Sequence, residues 1–497
     1  MRVVPGAVAV LKSPDSREQA GACALPRLRL RSFSAVAWLA ALLVALALGT
    51  AKSWGASPAA NPPGGLKVSS NHRYLVDAKS GEPVFILADT AWNLGALSLE
   101  EVDVYLESRA RHGFNVIMFA LSFAPQAEAR NAYGNEAYIG ADRTELNPAY
   151  FQYCDEVVRR CAERHLYVML YTMWAGTKAG TMNEYTAEQL NRIGKALGAR
   201  YRGVKNVIFC AGGEATPHYI EVGKVAALGA GLAEGCNAEN LVTVHPVSEH
   251  VTSEFFADAP WLAFNMAQGK SGSSEKSIAF DAAALVLRGY NATPPKPCMM
   301  AEHRYESGTA EDPVIQRRSL YQCVLAGGFG YAYGHNALWQ MTPHTAQPWM
   351  QRGWTAGVPD WRQALETRAV GQLGHIRTLM MRRSCLGWLP GQALVLEGQG
   401  ESTATRVQVA RDGTDGNNDA TCIAAYLSAP ADVTIDTRVI AGAFLKVTWF
   451  NPETGTLEPS GGDVPNQGRL TLQKRKTGID AVALIESSGP RDGAGAR

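Results

Sequence analysis

From about residue 66 to residue 380 the chain repeats one unit eight times: a short apolar run, a turn, then apolar residues at helical spacing. The runs are "PVFILAD", "NVIMFAL", "LYVMLYTMW", "NVIFCAGGE", "NLVTVHP", "WLAFNMAQG", "PCMMAEHRYE" and "FGYAYGHNALWQ". Runs of this kind suit strands covered on both faces, and their alternation with helices calls for parallel neighbours joined by crossovers. Eight units predict an α/β fold, a (β/α)8 TIM barrel. A doubly wound open sheet is the alternative. However, the first strand runs into "ADTAWN", which lacks the glycines of a nucleotide-binding turn.

The intervening segments carry helix signals of their own. "SLEEVDVYLESRARHG" opens with Ser98 followed three residues later by Glu101, the pattern of a capping box. Residues 218–235 have helical spacing but many glycines, so the pattern leaves that helix open. "SIAFDAAALVLRGY" and "DPVIQRRSLYQCVLAG" read as helices, and "WRQALETRAVGQLGHIRTLMMRR" as one closing helix. The barrel is therefore expected over residues 66–383. Beyond it the helical spacing stops. Short alternating runs such as "TRVQVAR", "TCIAAYL" and "FLKVTWFNP" predict a small antiparallel β-sandwich over 384–488, then a frayed tail over 489–497.

The N-terminus has a different layout. Arg27, Arg29 and Arg31 precede an apolar run from Phe33 to Leu48, and small residues and prolines follow. Basic, apolar, then small is the order of an export signal, and the run is short for a membrane span of ~20 residues. Residues 1–56 are expected to be leader and signal, or an uncleaved anchor, and the mature protein to be secreted or periplasmic. Any membrane contact would run through that segment.

The charge balance is 47 basic against 46 acidic residues with no basic stripe, which argues against nucleic acid as a partner. Nine cysteines occur without CxxC or Cys/His ligand spacing, so buried thiols with at most one bridge are expected, and no metal. No G-x-S-x-G or H-E-x-x-H motif is present.

The chemistry of such a barrel lies at the C-terminal ends of its strands. Two glutamates fall there: Glu214 behind the Gly212–Gly213 pair at the fourth strand, and Glu302 in the seventh. Two carboxyl groups flanking one bond are what glycosidic cleavage needs: one holds a proton for the leaving oxygen, the other stays ionised. Glu214 could instead be a solvated loop acid, and Glu302 an ion-pair partner of Arg304 or Arg73. Around them the same reasoning selects Asp89, Trp92, Trp174, His245, Asn265, Gln268, Tyr305, Glu306, His335 and Trp339 as substrate-binding residues, the tryptophans as platforms for a sugar face. A plant or microbial glycan is the expected partner, and no cofactor is expected. The alternative is a carbohydrate-binding protein on a barrel that has lost catalysis.

The motifs "NHRYLVDAKSGEPVFILADTAWN", "NAYGN", "RYRGVKNVIFCAGGE", "LVTVHP", "EHRYE" and "YAYGHNALWQ" together resemble the apiosidase-like glycoside hydrolases, over about residues 66–380. The C-terminal segment, with "FLKVTWFNPETGT", resembles the β-domain often attached to them, which carries a collagen-binding label. The resemblance implies a retaining mechanism with Glu214 as acid/base and Glu302 as nucleophile. It also marks a departure: the family pattern has Gly-Gly-Asp where this chain has Gly-Gly-Glu. One added methylene moves the carboxyl by ~1.5 Å (compare), which bears on apiose specificity more than on hydrolysis.

Overall fold

The computed structural model describes residues 63–123, 130–176, 182–272, 275–342, 358–381, 385–473, 475 and 478–488. The leader expected over 1–56 and the tail expected over 489–497 lie outside the described residues. Eight parallel strands form the larger, N-terminal part: β1 (Ile86–Thr90), β2 (Val116–Ala120), β3 (Tyr167–Tyr171), β4 (Val207–Cys210), β5 (Val242–Thr243), β6 (Asn265–Gly272), β7 (Cys298–Glu306) and β8 (Gly330–His335). They lie in the spatial order 5-4-3-2-1-8-7-6, with the short antiparallel strand His250–Val251 beyond β6. The cylinder closes between β5 and the approach to β6. Val242 and Leu262 form a parallel bridge, and Thr243 Oγ1 donates to the Phe264 carbonyl at 2.8 Å. This is the expected (β/α)8 barrel. Strands such as β2, β3 and β4 are buried along their whole length, because helices cover the outside and side chains fill the inside.

The helices include α1 (Leu99–Arg111), α2 (Pro148–Glu163), α3 (Ala187–Arg200), α4 (Val222–Gly235), α5 (Ala282–Tyr290) and α6 (Asp312–Leu325). Ser98 and Glu101 make the expected capping box on α1. The glycines that left α4 open in the pattern have a packing role. "GKALG" on α3 meets "GLAEG" on α4. A Cβ at Gly198 would stand 2.4 Å from the Leu232 carbonyl oxygen, and one at Gly231 2.3 Å from that of Asn191. The two backbones touch there, with no room for a side chain between them.

Two helix predictions need correction. The helix expected from Ser277 is broken: one turn at Glu275–Ile278 precedes the helix Ala282–Tyr290, which is capped by the Asp281 carboxylate accepting from Ala284 N. The closing helix is broken into a turn at Gln363–Glu366 and helices Arg368–Leu373 and His375–Met381. Thr367 caps the second piece, and Gly374 lies so near the His112 carbonyl that its Cβ would stand 2.3 Å from that oxygen.

The C-terminal region, from Leu389 to Ser488, is two antiparallel sheets. The larger contains β9 (Val407–Arg411), β10 (Cys422–Leu427), β11 (Phe444–Phe450) and β12 (Ala481–Ser488), ordered 9-10-12-11. The smaller contains Val395–Glu397, Val433–Asp436 and Arg469–Leu472. Val409, Ile423, Ala425 and Ile485 pack with the smaller sheet. Ala424, Tyr426, Phe450 and Leu484 join the barrel core instead. The larger sheet is thus covered on both faces. Arg317 of α6 donates from Nε and Nη2 to the Asp480 carboxylate at 3.0 and 2.7 Å, with both side chains 2% exposed. Tyr426 adds a 2.9 Å hydrogen bond to Asp480 and stacks on Tyr321 at 5.1 Å.

Candidate active site

β4 ends at Cys210 and the chain turns through Gly212–Gly213 into Glu214, whose φ of +49° is left-handed. The turn is tied to its neighbours. Gly213 N donates to Met173 O, Ala175 N to Gly213 O and Ala215 N to His245 O, at 2.8–3.0 Å. These bonds bring the ends of β3, β4 and β5 into one ladder. The Trp174 indole N–H donates to Glu214 Oε2 at 3.4 Å. Burial raises the Glu214 carboxyl above its ordinary range, opposed by hydrogen bonds from Gln268 and Trp174. A carboxyl in that state holds a proton where an exposed glutamate would have lost it.

Glu302 lies on β7, buried, with Oε2 3.4 Å from His245 Nε2. His245 is fully buried, which lowers its pKa to about 3 and keeps it neutral. Its Nδ1 lies 2.9 Å from the Tyr171 hydroxyl. With that hydroxyl as donor, the imidazole proton sits on Nε2, facing Glu302. On the other side, the Trp92 indole N–H donates to the Tyr305 hydroxyl at 3.0 Å, and that hydroxyl bonds Glu302. Glu302 and Tyr305 are three residues apart, so a regular strand would send them to opposite faces. The register against β8 slips between Met300 and Tyr305, and against β6 around Gln268. The bulge restores both side chains to the barrel mouth.

Trp92, Trp174, Tyr171 and His245 form an aromatic cluster with ring centroids 4.8–6.0 Å apart. Trp339, on the short helix after β8, stacks on Tyr305 at 6.5 Å. The structure therefore brings together Glu214, Glu302, Trp92, Trp174, His245, Gln268, Tyr305 and Trp339. Thr90, Tyr171 and Phe123 belong with them and were missed by the sequence reading. Thr90 lies beside the Tyr305 hydroxyl, and Phe123 packs on Trp174 at 4.6 Å. Tyr171 could have been noticed as a phenol inside an apolar strand, where its hydroxyl needs a partner.

Four expected residues point elsewhere. Asp89 faces α1, paired with Arg109 at 2.9 Å and accepting from the Tyr105 hydroxyl at 2.9 Å. Asn265 reaches outward toward the Gly289 carbonyl at the end of α5. Glu306 accepts from the Tyr333 and Thr367 hydroxyls at 2.5 and 2.9 Å, behind the strand. His335 uses Nδ1 to accept from Ala337 N at 2.9 Å, capping the helix Asn336–Gln340. Each is held by fold contacts, so none of the four lines the mouth. Among the described residues no group of three or more His, Cys, Asp or Glu could hold a metal ion, and the seven described cysteine side chains are buried.

A (β/α)8 barrel with two glutamates and an aromatic cluster at its mouth defines a glycoside hydrolase. Residues 69–386 match the family model described as "Apiosidase-like, catalytic domain", and residues 389–486 the one described as "Putative collagen-binding domain of a collagenase". The chain belongs to the apiosidase-like family of glycoside hydrolases. Among solved structures, one described as a glycoside hydrolase is similar with a TM-score of 0.74 at 24% identity, over 87% of this chain and 99% of its own. A glycoside hydrolase family 5 structure from Bacteroides vulgatus ATCC 8482 gives 0.75 at 22% identity, over 86% and 95%. These two likenesses concern the fold. No curated protein matches the sequence.

Proposed function

We propose that the protein is an exported glycoside hydrolase that cleaves a bond in a plant or microbial polysaccharide, or in its side chains, by double displacement. Glu302 attacks the anomeric carbon while Glu214 passes its proton to the leaving oxygen. Glu214, now ionised, takes a proton from the water that releases the glycosyl group from Glu302. The supporting observation is that Glu214 and Glu302 border one Trp174–His245–Gln268 cluster in different electrostatic settings. Glu214 is raised by burial. Glu302 lies instead beside the neutral His245 ring, 3.4 Å from its Nε2, and shares a hydrogen bond with the Tyr305 hydroxyl. Export rests on the basic, apolar, small order of residues 27–56.

The test uses purified residues 57–497 on a panel of pectic and other plant glycans, with the anomer of the first-formed product read by NMR. The expected result is retained configuration, with release by the wild type and none above background by Glu302→Gln. An inverted product would overturn the double displacement, and equal release by the variant would overturn the role of Glu302.

A further inference from the structure

The ends of β3 and β4 interlock through two glycines. Gly176, two residues beyond Trp174, lies under Glu214: a Cβ there would stand 1.8 Å from Oε2, 2.4 Å from Cβ and 2.7 Å from Cδ of the glutamate. Gly213, just before Glu214, lies under Trp174: a Cβ there would stand 2.1 Å from Cε3 and 2.3 Å from Cζ3 of the indole. Each strand end thus leaves a hydrogen where the other places its functional side chain. The segments cannot slide apart to make room, because Gly213 N bonds Met173 O and Ala175 N bonds Gly213 O. At Gly176 the conflict would include the Glu214 Cβ, which side-chain rotation moves very little.

We propose that Gly176 and Gly213 form a reciprocal socket that sets the reach of the Glu214 carboxyl and the tilt of the Trp174 ring. Both act as positioning residues for proton transfer. The inference rests on the reading of Glu214 as acid/base. A methyl group at Gly176 shifts the glutamate backbone by about an ångström, a displacement that can cost ~10²-fold in rate. Glu302 is on a separate strand, β7, beside His245 and Tyr305, so the nucleophile is expected to stay in place. The loss therefore falls on steps that need the Glu214 proton.

The experiment compares two substrates with the same glycone: an oligosaccharide, whose leaving alcohol needs protonation, and an aryl glycoside with an acidic phenol, which does not. Hydrolysis of the aryl glycoside is followed with azide present to take over the second step. Glu214→Gln and Gly176→Ala are each expected to lose about 10²-fold or more on the oligosaccharide and under about tenfold on the aryl glycoside. Equal losses on both substrates for Gly176→Ala, beside a leaving-group dependence in Glu214→Gln, would overturn the socket. A Glu214→Gln enzyme without that dependence would overturn the acid/base reading itself. A second cycle does not depend on Gly176→Ala folding. Gly213→Ala is expected to cost about 10²-fold on the oligosaccharide in the wild type and nothing further in a Trp174→Ala background, where the indole is gone. The same cost in both backgrounds would overturn the socket.

Discussion

Trp174 donates its indole N–H to Glu214, and a donor to a carboxylate favours the ionised form. Removing it in Trp174→Phe raises the Glu214 pKa further. In the proposed mechanism that carboxyl must be protonated, so the basic limb of the pH–rate profile should move to higher pH; a limb that stays or moves down contradicts the assignment. Glu306 has the same sign of shift without a place in the chemistry. Burial raises its pKa, so the native state binds a proton the unfolded chain has lost. Its contribution is present below the ordinary carboxylate value and is lost as pH rises through the raised one. Glu306→Gln keeps an acceptor for Tyr333 and Thr367, and should flatten that fall in denaturant titrations while activity persists. The sequence could single out Glu214 and Glu302 as candidates because an acid at the end of an apolar barrel strand sits where such barrels do their chemistry. It could not separate them from Asp89, Asn265, Glu306 and His335. Alternation gives the period of a strand but not which parity faces inward, and the slip in β7 changes parity midway.

At the scale of elements, the strands were legible because each is an apolar run ended by a turn. The helices were less so wherever backbone contact outweighed propensity. The glycines of α4 look like helix breakers in the sequence, yet they are what lets α4 lie against α3. Gly198→Ala improves helix propensity and puts a Cβ 2.4 Å from the Leu232 carbonyl oxygen. Contact wins: overpacking should destabilise the barrel by about 1–3 kcal/mol, read as a lower midpoint in chemical denaturation. A neutral or stabilised variant would mean that the two helices can part at little cost. The closing helix was misjudged for a related reason, since Gly374 is fitted to the His112 carbonyl, a contact no local pattern announces.

Across the whole molecule, a break in texture near residue 384 revealed that a β region follows the barrel, but not how the two meet. The contact is made by α6 and the larger sheet, with Arg317 and Asp480 sharing a buried ion pair. Asp480→Ala leaves the guanidinium buried without its counter-ion and should cost about 3–5 kcal/mol. Calorimetry of the wild type is expected to give one transition, since neither half keeps a complete hydrophobic surface alone; two separated transitions would contradict the coupling. The doubly covered sheet has a consequence for heredity as well. A domain that hangs from a linker can be lost, duplicated or traded between genes with little harm to its neighbour. One whose inner face is a wall of the catalytic half cannot, so the two parts should pass from gene to gene together and drift in step, residue against residue, along the seam where Tyr321 meets Tyr426.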